Sequence, residues 1–321
     1  MKIISNIGKF AIIAALILGV SSCSDDDDGD FVELETNLVL TATADSELSS
    51  LVAALAKAEL VATLNGSGPF TVLAPTDAAF TAFLEANNYA SINDVPVETL
   101  KQVLLNHVIP GEFTAAALKA EGSGYAETAS TAGPDGENIS IYYDATGDVV
   151  FNGGKSNGGG KVTTADIEAT NGIIHKVDAV IELPKVTTFA VADARFSTLL
   201  TALTDANLVG ALQVENGTGN PEAPFTVFAP TNDAFAKLSA VPTGSALTDV
   251  LLLHVIEKNN VTSGELTTST VTSLGGNLAI EIGNTPTVKG EGNAEASAII
   301  ITDVQSTNGV IHAIDQVLLP M

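Results

Sequence analysis

The chain has 321 residues, with 13 Lys and Arg against 38 Asp and Glu, a formal net charge of −25, and a single cysteine. The charge excludes nucleic acid and anionic membrane surfaces as favoured partners, and the cysteine count excludes a disulfide within the chain. There is no Trp and few aromatic residues, so a stacking platform has few candidates.

Lys2 and Lys9 form a short basic region, followed by the apolar run Phe10–Val20 of 11 residues. That run is well short of the ~20 residues a helix needs to span a bilayer, and it reads as a secretory signal over 1–22. Ser21 and Ser22 precede Cys23, so Val20–Cys23 resembles a bacterial lipobox and makes Cys23 the expected lipidation site. Asp25, Asp26, Asp27 and Asp28 follow at once in an acidic tether over 23–37, resembling the signal that carries some bacterial lipoproteins to the outer face of the outer membrane. Adjacent carboxylates make a poor calcium site, because such sites alternate ligands with turn residues. From Cys23 onward the chain carries 11 basic and 38 acidic residues, a charge suited to a well-solvated body on a lipid anchor.

After the tether, Asp45-Ser46 precedes Leu48, Leu51, Val52 and Leu55, the spacing of an amphipathic helix with an N-terminal cap. Phe70–Leu73 is a short β-rich run stopped by Pro75, after which Thr76 is placed to cap a helix carrying Asp77 in its first turn. Leu104–Ile109 (LLNHVI) reads as the end of a helix or the start of a strand. Gly154-Lys155-Ser156-Asn157-Gly158 fits a G-x-S-x-G nucleophile pattern. Glycines and a second β-like run follow instead of a helix, so Asn152–Gly160 reads as a flexible hairpin loop, and its Lys155 and Lys161 form a candidate binding spot in an acidic chain. Asn171-Gly172 lies between apolar β-rich segments, a strong hairpin signal.

The same series then returns. FTVLAPTDAAF at Phe70–Phe80 recurs as FTVFAPTNDAF at Phe225–Phe235, identical at 8 of 11 positions. LLNHVI recurs as LLLHVI at Leu251–Ile256, and TNGIIHKVDAV at Thr170–Val180 recurs as TNGVIHAIDQV at Thr307–Val317. The offsets of 155, 147 and 137 residues suit two copies of one compact domain, 38–184 and 185–321, each large enough to bury a core without disulfides. The link Leu183–Thr188 is short and contains Pro184, so limited swing is expected. The loop at 152–160 has only the shorter Gly290–Asn293 as its counterpart.

All four histidines, His107, His175, His254 and His312, fall at equivalent places in the two copies. That regularity points first to architecture, with neutral imidazoles bridging backbone groups. His312 and Asp315 are three apart, as are His175 and Asp178, so on a strand they face opposite ways and form no local dyad.

The motifs at Ala74–Phe80, Ala229–Phe235, Asn171–Asp178 and Asn308–Asp315 resemble those of the fasciclin domain family, twice and in order. The resemblance implies an α/β fold of α+β type, each domain a small twisted β-sandwich or wedge with flanking helices, used mainly in extracellular adhesion. It implies neither catalysis nor a metal or cofactor. Many members have tyrosine before the first histidine, a pair associated with receptor adhesion in animals. Here the positions hold Asn106 and Leu253, and no Arg-Gly-Asp tripeptide occurs, which argues against an animal-type integrin mode. The expected protein is an outer-membrane surface lipoprotein that contacts an extracellular protein or polysaccharide matrix and touches membrane only through its lipid. The alternative is a glycan-binding or glycan-handling lipoprotein, for which Tyr89, Tyr125, Tyr142 and Tyr143 are the tyrosine rings to consider.

Overall fold

A computed structural model describes residues 36–321, and these form one compact unit. The domain begins slightly earlier than the sequence suggests. The Thr36 carbonyl accepts from Thr170 N–H and Asn37 caps the first helix, so both belong to the fold rather than to the tether.

The first domain contains helices α1 (Leu38–Ala44), α2 (Ser49–Lys57), α3 (Val61–Leu64), α4 (Asp77–Ala86), α5 (Val97–Leu105) and α6 (Ala115–Glu121). Its strands are β1 (Phe70–Pro75), β2 (Val108–Pro110), β3 (Ser123–Glu127), β4 (Ser140–Asp144), β5 (Val150–Phe151), β6 (Gly160–Ala169) and β7 (Gly172–Val177). The second domain contains α7 (Val186–Ala192), α8 (Ser197–Asp205), α9 (Asn232–Ala236) and α10 (Ser245–Leu253). Its strands are β8 (Phe225–Pro230), β9 (Val255–Glu257), β10 (Ser269–Ser273), β11 (Gly276–Glu281), β12 (Thr287–Gly290), β13 (Ser297–Ser306) and β14 (Gly309–Ile314).

Each domain is built on one mixed seven-stranded sheet, ordered β2-β1-β7-β6-β5-β4-β3 in the first and β10-β11-β12-β13-β14-β8-β9 in the second. The two strands bearing the repeated motifs lie side by side and parallel. Phe70 to Pro75 pairs with Gly172 to Val177, and Phe225 to Pro230 with Gly309 to Ile314. Ala129 N–H donates to the Val108 carbonyl and Leu274 N–H to that of Val255, so the two ends of each sheet bend round to meet as a wedge.

The central strands are buried on both faces, which is why they read as continuous apolar runs. In β1, Val72 and Ala74 join the core under the helices while Leu73 joins Ile109, Ile141, Phe151 and Val177 inside the wedge. In β8, Val227 and Ala229 face the helices and Phe228 faces the interior. Period-two alternation thus serves two cores at once.

Candidate interaction surface and the joint between domains

The A-P-T motif ends a strand and starts a helix in both copies. Thr76 Oγ1 accepts from Ala79 N–H and Thr231 Oγ1 from Ala234 N–H, capping α4 and α9. The next residue reaches further. Asp77 accepts from Ser50 N–H and the Ser49 hydroxyl, both at 2.7 Å, so a side chain on α4 caps α2. Asn232 does the same for α8, accepting from Thr198 N–H at 2.9 Å. The cap expected from Asp45-Ser46 is therefore corrected: α2 starts at Ser49, and Asp45 instead pairs with Lys176.

The N-G motif also does more than turn the chain. Ala169 pairs with Gly172, so the two-residue loop is Thr170-Asn171 and not Asn-Gly. Asn171 Oδ1 accepts from Leu38 N–H while its amide donates to the Leu64 and Gly66 carbonyls. Asn308 repeats this with Val186, Leu212 and Val214. Gly172 has φ of +150°, and a Cβ there would lie 1.9 Å from the Phe70 carbonyl oxygen. Glycine is required by close strand approach.

All four histidines are buried and bonded to backbone on both ring nitrogens. His107 Nε2 accepts from Ile181 N–H at 2.8 Å, so its Nδ1 carries the hydrogen and donates to the Val103 carbonyl at 2.7 Å. His254 holds Leu318 and Val250 in the same way. Burial pulls both imidazoles down to about 4. His175 and His312 take the opposite tautomer, accepting at Nδ1 from Asp166 and Asp303 N–H and donating from Nε2 to the Phe113 and Val261 carbonyls. Asp315 points elsewhere, to Ser297, Ala298 and Lys237. Asn106 and Leu253, which precede two of the histidines, are at 0% and 1% exposure, so neither lies on a contact surface.

The loop after β5 is tied down rather than free. Asn152 is buried and its Oδ1 accepts from Tyr142 N–H, while the Asn157 amide donates to the carbonyls of Asn152 and Thr188. Thr188 lies on α7, so the loop holds the first helix of the second domain. The expected positive spot is neutralised. Lys155 lies 3.3 Å from Asp178 and Lys161 lies 2.6 Å from Asp148. Lys155–Asn157 is a single 3-10 turn, not the start of the helix a nucleophile elbow needs.

Beside this loop lies a joint that sequence reasoning missed. Tyr142 packs in the helical core of the second domain, and Tyr125 meets Phe189 edge-on at 5.6 Å. The Tyr125 hydroxyl donates to Asp193 at 2.8 Å, and Arg195 both pairs with Asp193 and lies over the Tyr125 ring at 5.8 Å. Nearby, Gln305 N–H donates to the Ser140 hydroxyl. Of the tyrosines considered for sugar stacking, Tyr142 and Tyr143 are buried and Tyr89 and Tyr125 are half-buried. No signal within either copy marks these residues, because the joint exists only between them.

Cys23 and Asp25 to Asp28 lie outside the described residues. Among the described residues, no helix is long and apolar enough to cross a membrane, and no group of three or more His, Cys, Asp or Glu could hold a metal ion.

Comparison with known proteins agrees with the repeated architecture. The chain is 39% identical over 144 residues to the protein sll1735 of Synechocystis, covering 43% of this chain and 98% of that protein. It is 28% identical over 263 residues to the transforming growth factor-beta-induced protein ig-h3 of Sus scrofa, covering 80% of this chain but 35% of that one. A solved FAS1 domain pair from the insect cell adhesion molecule fasciclin I is similar at a TM-score of 0.46 and 18% identity, over 83% of this chain and 92% of that one. The fasciclin domain model matches residues 46–184 and 194–320, one match per copy, and the chain belongs to the fasciclin domain family.

Proposed function

We propose that this protein is a surface-exposed lipoprotein that attaches cells to an extracellular protein or polysaccharide matrix through its fasciclin domain pair, without catalysis. The observation that carries this reading is the pair itself: two matched fasciclin domains in one chain, joined by packed side chains rather than a loose linker. The four histidines, where an enzyme would have to begin, support it because each spends both ring nitrogens on backbone groups. Presenting two related modules together raises avidity wherever the partner repeats, as a matrix does. The anchor would be lipid on Cys23, with Asp25 to Asp28 as the export signal and the acidic body held away from an anionic membrane.

A strain lacking the protein is compared for surface attachment with strains expressing the wild type, Cys23→Ala, or Asp25–Asp28 changed to alanine. Attachment is expected to fall in the deletion, to stay low when Cys23→Ala leaves the protein soluble, and to stay low when the tetrad variant is no longer cleaved on intact cells by added protease. Equal attachment with and without the protein would refute the reading. Membrane retention of Cys23→Ala at wild-type level would refute the anchor.

A further inference from the structure

The two copies depart from one another most where three segments converge. The β3–β4 connection of the first domain runs from residue 128 to 139, whereas β10 and β11 are joined by Leu274 and Gly275 alone. The approach to β8 spans residues 214–224, against 65–69 before β1. After β9 the second copy carries one extra residue. Thr71 bonds the Gly111 carbonyl and Phe113 N–H, and Thr226 bonds the Asn259 carbonyl and Val261 N–H, so the register matches on both sides and Lys258 is the insertion. These three departures line one cleft of about 450 Å³ at the domain junction, with Pro134, Asp135, Asn216, Pro224, Asn259 and Glu265 among its walls.

The cleft is built firmly. Its inner side is held by a reciprocal amide pair between Asn260 and Gln305, and Gln305 is in turn bonded to Ser140 of the first domain. Asp135 and Lys258 both hold left-handed backbone, with φ of 60° and 59°, which costs free energy for residues other than glycine. Among the described residues, the side chains of Asp135, Asn216 and Asn259 are exposed and make no hydrogen bond. Glu265 accepts from Thr262 through only one of its oxygens.

We infer that this cleft is a binding site for a neutral carbohydrate. The amides of Asn216 and Asn259 both donate and accept, which suits paired hydroxyls, and the carboxylates of Asp135 and Glu265 accept from hydroxyl groups. Half-buried Pro224 gives apolar surface for the C–H face of a sugar ring, with buried Pro134 packed behind the wall, and the volume falls within the ~300–1,000 Å³ typical of small-ligand sites. An anion is disfavoured, because the one lysine in the cleft, Lys258, is already paired with Glu222 at 3.2 Å and the other charges are acidic. A metal ion is disfavoured too, since among the described residues no three His, Cys, Asp or Glu side chains come together to hold one. This inference names a partner class for the attachment reading and rests on that reading only for its biological setting.

The test uses the full chain, purified in a detergent without a sugar headgroup and titrated calorimetrically with neutral tetrasaccharides of glucose, mannose, galactose and N-acetylglucosamine. At least one is expected to bind. Asn216→Ala combined with Asn259→Ala should weaken that binding by about tenfold or more, as loss of two hydrogen-bonding side chains would. Asp135→Asn, which keeps a residue tolerant of the left-handed backbone, should weaken it without lowering the melting temperature. Lys155→Ala, outside the cleft, should leave it unchanged. Binding of none of the four, or binding that both cleft variants leave intact, overturns the site, and cleft-dependent binding of a polyuronate or a peptide with none of the neutral probes overturns the ligand class. A failed titration with intact protein-dependent attachment of cells rejects the cleft alone, whereas loss of that attachment phenotype concerns the function proposed above.

Discussion

Asp77 caps a helix other than its own: from the first turn of α4 its carboxylate accepts from Ser50 N–H at 2.7 Å, at the start of α2. In the second domain Asn232 accepts from Thr198 N–H at 2.9 Å in the same place. The position after A-P-T, Asp77 in one copy and Asn232 in the other, is thus one acceptor oxygen in a fixed place, supplied by either residue. It locks the motif helix to the amphipathic helix before it, and it explains the motif without any ligand.

Asp77→Ala and Asn232→Ala should each destabilise their domain by about 1–2 kcal/mol, the usual cost of a lost cap. Asp77→Asn should be nearly neutral at pH 7, since the second domain already uses asparagine. Burial alone would raise the Asp77 carboxyl, but hydrogen bonds from Ser50 and Ser49 hold it below its ordinary 3.8. Its contribution is present above 3.8 and lost as the pH falls through the lowered value, so Asp77→Asn should make denaturant stability less sensitive to acid below about pH 4. Chemical melts at pH 7 and pH 3 compare the two, and an unchanged acid slope would remove Asp77 from that account.

Gly172→Ala and Gly309→Ala should each cost about 3 kcal/mol or more, because the new Cβ would lie 1.9 Å from the Phe70 carbonyl oxygen in one domain and 2.2 Å from that of Phe225 in the other. Urea titration measures this directly. A loss below about 1 kcal/mol would mean that the parallel pairing of motif strands yields easily.

The repeat made the fold legible. Three motifs in order, twice, marked the domain count, the strand–turn–helix of the A-P-T segment and a terminal hairpin whose last strand is buried. What the sequence hid was tertiary. Asn171-Gly172 announces a hairpin, yet the turn is one residue earlier and the glycine is demanded by Phe70, more than 100 residues away. Asp45 looks like a cap and instead pairs with Lys176. The loop at 152–160 looks like a free tip because glycine and lysine read as solvent-exposed, while the Asn157 amide and the Asp178 carboxylate that tie it down are set by long-range packing. Nothing local marks Tyr125 or Asp193 as partners.

The histidines set an acid limit on stability. Burial lowers His107 and His254 from an ordinary 6.5 to about 4, so between those values the unfolded chain binds protons that the folded chain excludes. Stability is therefore complete above pH 6.5 and declines as the pH falls towards 4, by about 3 kcal/mol per histidine at the bottom of that window. His107→Gln and His254→Gln should lower stability at pH 7 but lose less of it between pH 6.5 and 4.5. Proton NMR offers a direct check: imidazole signals of His107 or His254 titrating near pH 6.5 in the folded protein would contradict the buried neutral assignment.

The two domains should unfold as one cooperative unit. The Asp193 side chain is 1% exposed, and its charge is met by Arg195 and by the Tyr125 hydroxyl from the other domain. Tyr142 of the first domain completes the core of the second, and the 152–160 loop donates to Thr188 on α7. Unfolding either domain alone would expose that shared core, and unfolding the first would also take the Tyr125 hydroxyl from the Asp193 carboxylate, so the pair should melt in a single calorimetric transition. Tyr125→Phe removes one hydrogen bond to a charged group and should cost about 1.5–3 kcal/mol while leaving one transition. Tyr125→Ala with Asn157→Ala also removes the packing against Phe189 and the tie to α7, and it should split the trace into two transitions. A wild-type protein that already melts in two steps would show that these contacts do not couple the domains.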